Sequence, residues 1–263
     1  MAKSFMLEFR EFLSANNISY SVSENLVYID SFRICAELVH LGDSLFPHYT
    51  LETGYKVIII YEDLWFSKGE IVRGRLLASF GRKSSIFARN CKVRKIDKST
   101  AGNFLDANHL LGRVNAKFYY ALTDKNETIV AVAAFSAPRP MKRGEEVLNS
   151  YEWVRYASLS GMRIAGGMGK LLEHFIRTHS PQEIMSYADK EWSDGDAYKK
   201  LGFELVSESD PIDFIVDTKD FKRYSIKKLR RENATLNPEP GINNYKILRT
   251  RGNLKFLKRS SLR

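Results

Sequence analysis

Residues 166–179 read GGMGKLLEHFIRTH. Three glycines in four positions form a turn that opens a helix, and Pro181 follows the helix end. The amides of a first helical turn have no acceptor inside the helix, and small residues let a ligand come close to them. Residues Gly166, Gly167, Met168, Gly169 and Lys170 are therefore candidates to hold a phosphate-bearing cofactor at a helix N-terminus. The plainer reading of the same residues is a tight strand-to-helix turn that needs glycine for steric reasons. The flanking segments place this turn in an α/β or α+β arrangement. YEWVRYASL (151–159) reads as a strand before it, and EIMSYAD (183–189) as a strand after it. DAYKKLG (196–202) is a short helix ended by Gly202, and Phe203 starts the next strand.

Working outward, FARNCKVRKID is a strand leading into the helix STAGNFLDANHLL. KFYYALTD and TIVAVAAFSA are two strands joined by a DKNE turn, and FELVSES and DFIVD are two more. The order over 86–217 is β-α-β-β-β-α-β-α-β-β, a mixed sheet with helices on both faces. Residues 1–85 read as a smaller α/β module: an opening amphipathic helix, the paired strands LVYIDSF and RICAELVHL, and the buried strand YKVIIIYEDLW. A further helix has Ser67 as N-cap, Glu70 completing a capping box, and Gly81 as its end. Residues 218–263 form a C-terminal extension with a turn at NPEPG (237–241), after which KILRTRGNLKF reads as a hairpin around Gly252.

Charge follows the same division. Net charge is +10, and residues 219–263 hold 14 Lys/Arg against 3 Asp/Glu, leaving the rest of the chain near neutral. Such a block suits a phosphate backbone, although a solvated tail would look the same. Two cysteines, Cys35 and Cys91, make neither a disulfide framework nor a metal cluster. No apolar run reaches 18 residues and no cleavable leader is evident, so a cytoplasmic protein without a membrane span is expected.

Several side chains carry candidate chemistry. Tyr198 sits one turn before a Gly-Phe stop, and a phenol can protonate a thiolate leaving group, though it could equally be an aromatic anchor. His109 ends the first helix of the 86–217 segment, where it could deprotonate an amine or pack. Arg155 could bind phosphate or carboxylate through both arms of its fork. Glu152 is three residues away on a strand, so strict alternation sends the two to opposite faces. Asp189 lies at the carboxyl end of a strand, where ligands collect in open sheets. Trp192 could stack on a base, and Ser193 follows it.

FARNCKVRKIDKSTAGNFLDANHLLG, YEWVRYASLSGMRIAGGMGKLLEHF, SYADKEWSDGDAYKKLGF and YKILRTRGNLKF resemble the GCN5-related N-acetyltransferase (GNAT) superfamily. Within it they are most similar to phage-associated Mom-like proteins that modify adenine in DNA. The resemblance covers about 85–256 and implies acyl transfer to an amine, with a DNA base as the favoured acceptor. It implies acetyl-CoA or another acyl-CoA as donor, and DNA and that small molecule as partners. On it Tyr198, His109, Arg155 and Asp189 act at the reacting groups, residues 166–170 at the donor, and Glu152, Trp192 and Ser193 toward the substrate. The donor motif is partial, because Ile164 stands where the family has Gln or Arg. IIIYEDLWFSKGEIVRGRL resembles the very-short-patch-repair and PD-(D/E)xK nucleases. Glu37 falls at the metal-binding Glu, but the expected Asp falls near Leu26 and Asp30 is shifted, which implies a degenerate nuclease-like module that has lost its nuclease activity and serves as a DNA-facing or structural part. A metal-dependent endonuclease, a DNA-binding protein without catalysis, and an acetyltransferase for a protein or small molecule are the alternatives.

Overall fold

A computed structural model describes residues 4–42, 54–82, 84–226, 229 and 244–259. It is a mixed α+β structure. In chain order, α1 spans Phe5–Ala15, β1 Ser21–Ser23, β2 Leu26–Ile29, β3 Ile34–Val39, β4 Lys56–Tyr61, α2 Glu62–Ser67 and α3 Gly69–Ser79. Next come β5 (Ser84–Phe87), β6 (Lys92–Lys95), α4 (Lys98–Asn108), β7 (Phe118–Thr123), β8 (Ile129–Phe135), β9 (Arg139–Arg143) and β10 (Glu146–Ser158). Then follow β11 (Met162–Ala165), α5 (Gly167–His179), β12 (Glu183–Asp189), α6 (Asp196–Lys200), β13 (Glu204–Glu208), β14 (Ile212–Asp217), β15 (Arg223–Ser225), β16 (Tyr245–Thr250) and β17 (Asn253–Arg259). Two compact units arise, and they interleave along the sequence. One comprises Met1–Val72, Asp189–Ser193 and Asp210–Asn253; the other comprises Arg73–Ala188, Asp194–Ser209 and Leu254–Arg263.

In the first unit, α1 is capped by Ser4, whose hydroxyl accepts from the Leu7 amide at 3.3 Å. Its Phe5 and Phe9 pack on the buried Trp65, at ring separations of 5.9 and 5.3 Å. Strands β1-β2-β3-β4 form one sheet, with β3 and β4 parallel. The run expected as one strand stops at Tyr61, because Glu62–Ser67 turns into α2 and buries Trp65. Ser67 therefore ends a helix, and its hydroxyl donates to the Asp63 carbonyl at 2.6 Å. A second sheet, β15-β14-β16, packs Val216 and Leu248 on Ile59 and Tyr61 of β4. The β2–β3 register sets Leu26 opposite Glu37. Asp30 accepts from the Tyr55 hydroxyl at 2.5 Å. Among the described residues, no group of three or more His, Cys, Asp or Glu could hold a metal ion.

In the second unit the main sheet has the order β13-β17-β12-β10-β8-β7-β6, with β9 hairpinned onto β10. Strand β8 is apolar at successive positions because both its faces are covered. Ala131, Ala133 and Phe135 join α5 through Leu171, Leu172 and Phe175, and the Phe135 and Phe175 rings stack at 3.9 Å. Val132 and Ala134 meet Ala101 and Leu105 of α4 on the opposite face. Strands β6, β7, β8 and β10 pair antiparallel, whereas β10 and β12 run parallel across the α5 connection. The expected hairpin at KILRTRGNLKF does not form. Gly252, at φ +82°, separates β16 and β17, which join different sheets. No helix among the described residues is long and apolar enough to cross a membrane.

Candidate active site

Strands β10 and β12 pair over four positions, from Ser150 opposite Glu183 to Trp153 opposite Ser186. Both continue past the last pair, β10 to Ser158 and β12 to Asp189, so the sheet forks there. At the closed end Arg143 holds Glu183 with two hydrogen bonds of 2.9 and 2.6 Å. Burial pushes the Glu183 carboxyl up, but Arg143, the Ser150 hydroxyl and Arg259 together take it below its ordinary value.

A bulge opens the fork. Against β8, Trp153 pairs with Phe135 and Arg155 with Ala134, leaving Val154 as the extra residue. The Trp153 indole donates to the Arg155 carbonyl at 3.0 Å across it. One added residue reverses the alternation. Trp153 and Tyr156 both pack in the α5-side core, 6.1 Å apart. Glu152 and Arg155 consequently share the α4-side face, where alternation alone sends them to opposite faces.

Tyr198 reaches the fork from the α5 side. Gly195, at φ +77°, starts α6, and a side chain there would collide with the Phe256 ring. The Tyr198 ring stacks on Phe256 at 5.2 Å and meets Trp153 and Phe203 edge-on at 6.0 and 5.5 Å. The Ser186 hydroxyl lies 2.9 Å from both the Trp153 carbonyl oxygen and the Tyr198 phenol oxygen, and its single proton can go to either one at a time. When Ser186 donates to the phenol, Tyr198 keeps its own proton, for which the Tyr187 carbonyl at 3.5 Å is a distant acceptor. Burial raises the Tyr198 pKa, partly offset by Ser186 and Arg155, so the group stays an O–H donor at neutral pH.

Arg155 lies beside this hydroxyl. Its Nη1 donates to the Val154 carbonyl at 2.8 Å, and its buried Nε has no hydrogen-bond partner. Burial lowers its pKa, opposed by Glu152 and Tyr198. Burial also raises the pKa of Tyr187, and the Glu152 charge adds to the shift. Glu152, Arg155 and Tyr187 thus gather where the strands part. Ser186 and Tyr187 escaped the sequence reading, although a serine on the apolar side of EIMSYAD was a usable signal.

Along β10 from Trp153, Tyr156 leads to the α5 N-terminus. Its hydroxyl lies 2.6 Å from where a Gly167 Cβ would stand, so that glycine is required by space. Gly166, at φ +77°, gives α5 no side-chain cap. The first helical bond runs from the Lys170 amide to the Gly166 carbonyl at 3.0 Å, leaving the amides of Gly167, Met168 and Gly169 ahead of it. Lys170 itself is committed elsewhere: its ammonium donates to the Ala88 and Cys91 carbonyls at 2.9 and 2.5 Å.

The remaining candidates are His109 and the segment Asp189–Ser193. His109 caps α4, and its Nδ1 accepts from the Leu111 amide at 3.1 Å. The neighbouring Asn108 side chain holds the Ser160 amide at 2.7 Å, beyond the end of β10. That end is about 17 Å along the strand from Trp153, at roughly 3.3 Å per residue. Asp189, Trp192 and Ser193 belong with the first unit. They form a turn in which the Trp192 and Ser193 amides donate to the Asp189 carbonyl at 3.2 and 3.0 Å, and Trp192 is buried. Within that turn Glu191, also absent from the sequence reading, is 4% exposed. Its carboxyl accepts from the Tyr61 hydroxyl at 3.2 Å and the Arg251 amide at 2.6 Å. Burial, the contact with Asp189 and its charge push the Glu191 pKa up to about 8.

No family model matches the chain, and no curated protein does. Solved structures do. A histone acetyltransferase HPA2-related protein from Corynebacterium glutamicum is 15% identical, with 66% of this chain and 98% of that one covered and a TM-score of 0.39. A Bacillus subtilis acetyltransferase in complex with CoA is 12% identical, with 65% and 99% covered and a TM-score of 0.39. The ribosomal-protein-S18-alanine N-acetyltransferase from Escherichia coli is 12% identical, with 66% and 96% covered and a TM-score of 0.39.

Proposed function

We propose that the second unit transfers an acyl group from an acyl-CoA to an amine. The observation that carries this reading is the fork itself. A protonated, half-buried phenol stands where two parallel strands separate, on the side of the sheet that also holds the uncapped first turn of α5. The residues present fit such a donor. The amides of Gly167, Met168 and Gly169 suit a pyrophosphate, and the positive end of the α5 dipole favours its charge. Bound there, the donor supplies an activated acyl carbon and a thiol leaving group, so that a C–N bond forms as a C–S bond breaks. Tyr198 holds the proton that the leaving sulfur needs, with Ser186 fixing the direction of the phenol. Glu152, on the opposite face of the fork, is placed to take the proton an attacking ammonium must lose.

A DNA base is the acceptor favoured by the basic C-terminal block, since a nucleotide joins an amine to a phosphate. Much of that block lies outside the described residues. The decisive assay is release of free thiol from acetyl-CoA with a panel of amines, including adenine-bearing oligonucleotides, followed by mass analysis of the acceptor. Acceptor-dependent thiol release and a mass gain of one acetyl group support the reading. Absence of both, together with no binding of coenzyme A by calorimetry, refutes it.

A further inference from the structure

The fork holds two opposite charges on one face that do not neutralise each other. Arg155 and Glu152 sit three residues apart on β10, brought to the same side by the bulge at Val154. The Glu152 charge acts on Arg155, yet no ion pair or hydrogen bond joins the two among the described residues. Arg155 spends one arm on the Val154 carbonyl and has a buried Nε with no acceptor. Its neighbours are the Tyr198 hydroxyl, which is not charged at neutral pH, and Glu152. Buried guanidinium groups are ordinarily matched by an anion, because desolvating the charge alone is costly. The same chain meets that requirement elsewhere, at Arg143 with Glu183 and at Arg223 with Asp63. The mismatch is therefore local to the fork.

We propose that the acceptor is an amine carrying its own oxyanion, a carboxylate or a phosphate, with the anion held by Arg155 and the ammonium directed toward Glu152. Both groups lie on the side of the fork away from α5, so such an acceptor approaches opposite the first turn of α5. Tyr187, beside Glu152 and 41% exposed, lines the entry. This deepens the acyl-transfer reading by naming the acceptor's charge pattern. It differs from a plain amine site, which needs no cation, and from a polyamine site, which Arg155 would repel. The guanidinium fork suits both oxyanions.

The test separates this proposal from the reading it rests on. Binding of three probes is measured by calorimetry without any donor: a free α-amino acid series, adenosine 5′-monophosphate, and a short adenine-containing oligonucleotide. Matched amines lacking the anion serve as controls. The expected result is binding of at least one anionic amine at least tenfold tighter than its neutral counterpart. That preference is lost in Arg155→Met and partly restored in Arg155→Lys. Preference for the amino acids assigns a carboxylate; preference for the monophosphate or oligonucleotide assigns a phosphate. Equal binding of neutral and anionic amines, or a preference that survives in Arg155→Met, overturns the proposal even if thiol release is observed. Anion-selective binding with neither thiol release nor binding of coenzyme A leaves the anionic-amine site standing and removes the acyl-transfer reading.

Discussion

In the first unit, a largely covered arginine meets a buried aspartate: both arms of the Arg223 fork engage Asp63, and the guanidinium lies over the Tyr61 and Phe214 rings at 4.8 and 5.5 Å. In the second, the Arg155 guanidinium is also sheltered, but its one hydrogen bond goes to the Val154 carbonyl and its buried Nε has no acceptor. The closed end of the β10–β12 pair is matched in the manner of the first unit, through Arg143 and Glu183. The difference teaches how to separate structural from functional charge. A desolvated ion that holds the fold together has its partner in the chain, whereas one kept without a partner is positioned for something outside it. The contrast can be broken or sharpened by substitution, because removing a paired group and removing an unpaired group have opposite consequences for stability.

The largest effect is expected at Asp63. It is fully buried, and Asp63→Ala strands the Arg223 charge against two aromatic rings. Breaking a buried pair from one side costs about 3–5 kcal/mol. Urea denaturation followed by tryptophan fluorescence, with Trp65 in the same unit, should report a loss of that size. A change below about 1 kcal/mol would mean that the pair is solvated and that the contrast between the units is misdrawn.

Next comes Tyr198→Phe. The phenol makes its hydrogen bond only with Ser186 at close range, so the fold should tolerate the loss. The turnover number for acyl transfer should fall about a hundredfold, the lower end for removal of a positioned acid. Its loss should show in kcat more than in KM, since the proton is needed as the C–S bond breaks. An unchanged kcat would return Tyr198 to the role of an aromatic anchor between Phe256 and Trp153.

These two sites differ in how far the sequence disclosed them. Tyr198 was legible because a short helix, a Gly stop and a following strand are local signals. So was the glycine-rich turn at 166–169 that opens α5. What stayed hidden depends on pairing between distant segments. Alternation along YEWVRY predicts opposite faces for Glu152 and Arg155, and only the register against β8 exposes Val154 as an inserted residue. DFIVD and KILRTR read correctly as strands, but nothing local assigns them to a sheet packed on β4. Nothing in KEWSDG marks Glu191, which is buried and whose carbonyl accepts from the Ile59 amide of β4 at 3.1 Å. Cross-strand choice is set by long-range packing, which a single sequence carries only weakly.

Glu191 gives the third test, one of pH. Its carboxyl has a raised pKa in the folded chain, so the folded state holds a proton that the unfolded chain releases above about pH 4.3. The associated stability is fully present below that value and is lost as pH rises through about 8. Between pH 6 and 8 the first unit should weaken by about 2 kcal/mol, within the limit of roughly 1.4 kcal/mol per pH unit for one proton. Glu191→Gln, which keeps the hydrogen bonds from Tyr61 and Arg251 without the charge, should flatten that slope. A wild-type stability that is level or rising across this window would place Glu191 in contact with water.

The smallest effect is expected where the contrast is sharpest. Arg155→Met removes a desolvated cation that has no partner and fills its space with an apolar chain of similar reach. The cost of losing the Val154 hydrogen bond, about 1 kcal/mol, is offset by relief of the unmatched charge. The net change in unfolding free energy should lie within about 1 kcal/mol of zero, and an increase in stability is allowed. Arg143→Met, at the matched end of the same two strands, leaves the fully buried Glu183 with only the exposed Arg259, 4.0 Å away, as a cation and should cost several times more. Measured side by side in one denaturant series, the two variants decide whether the fork differs from its base. Similar losses would mean that Arg155 is held by the fold in the way Arg143 is, and that its missing partner has no functional meaning.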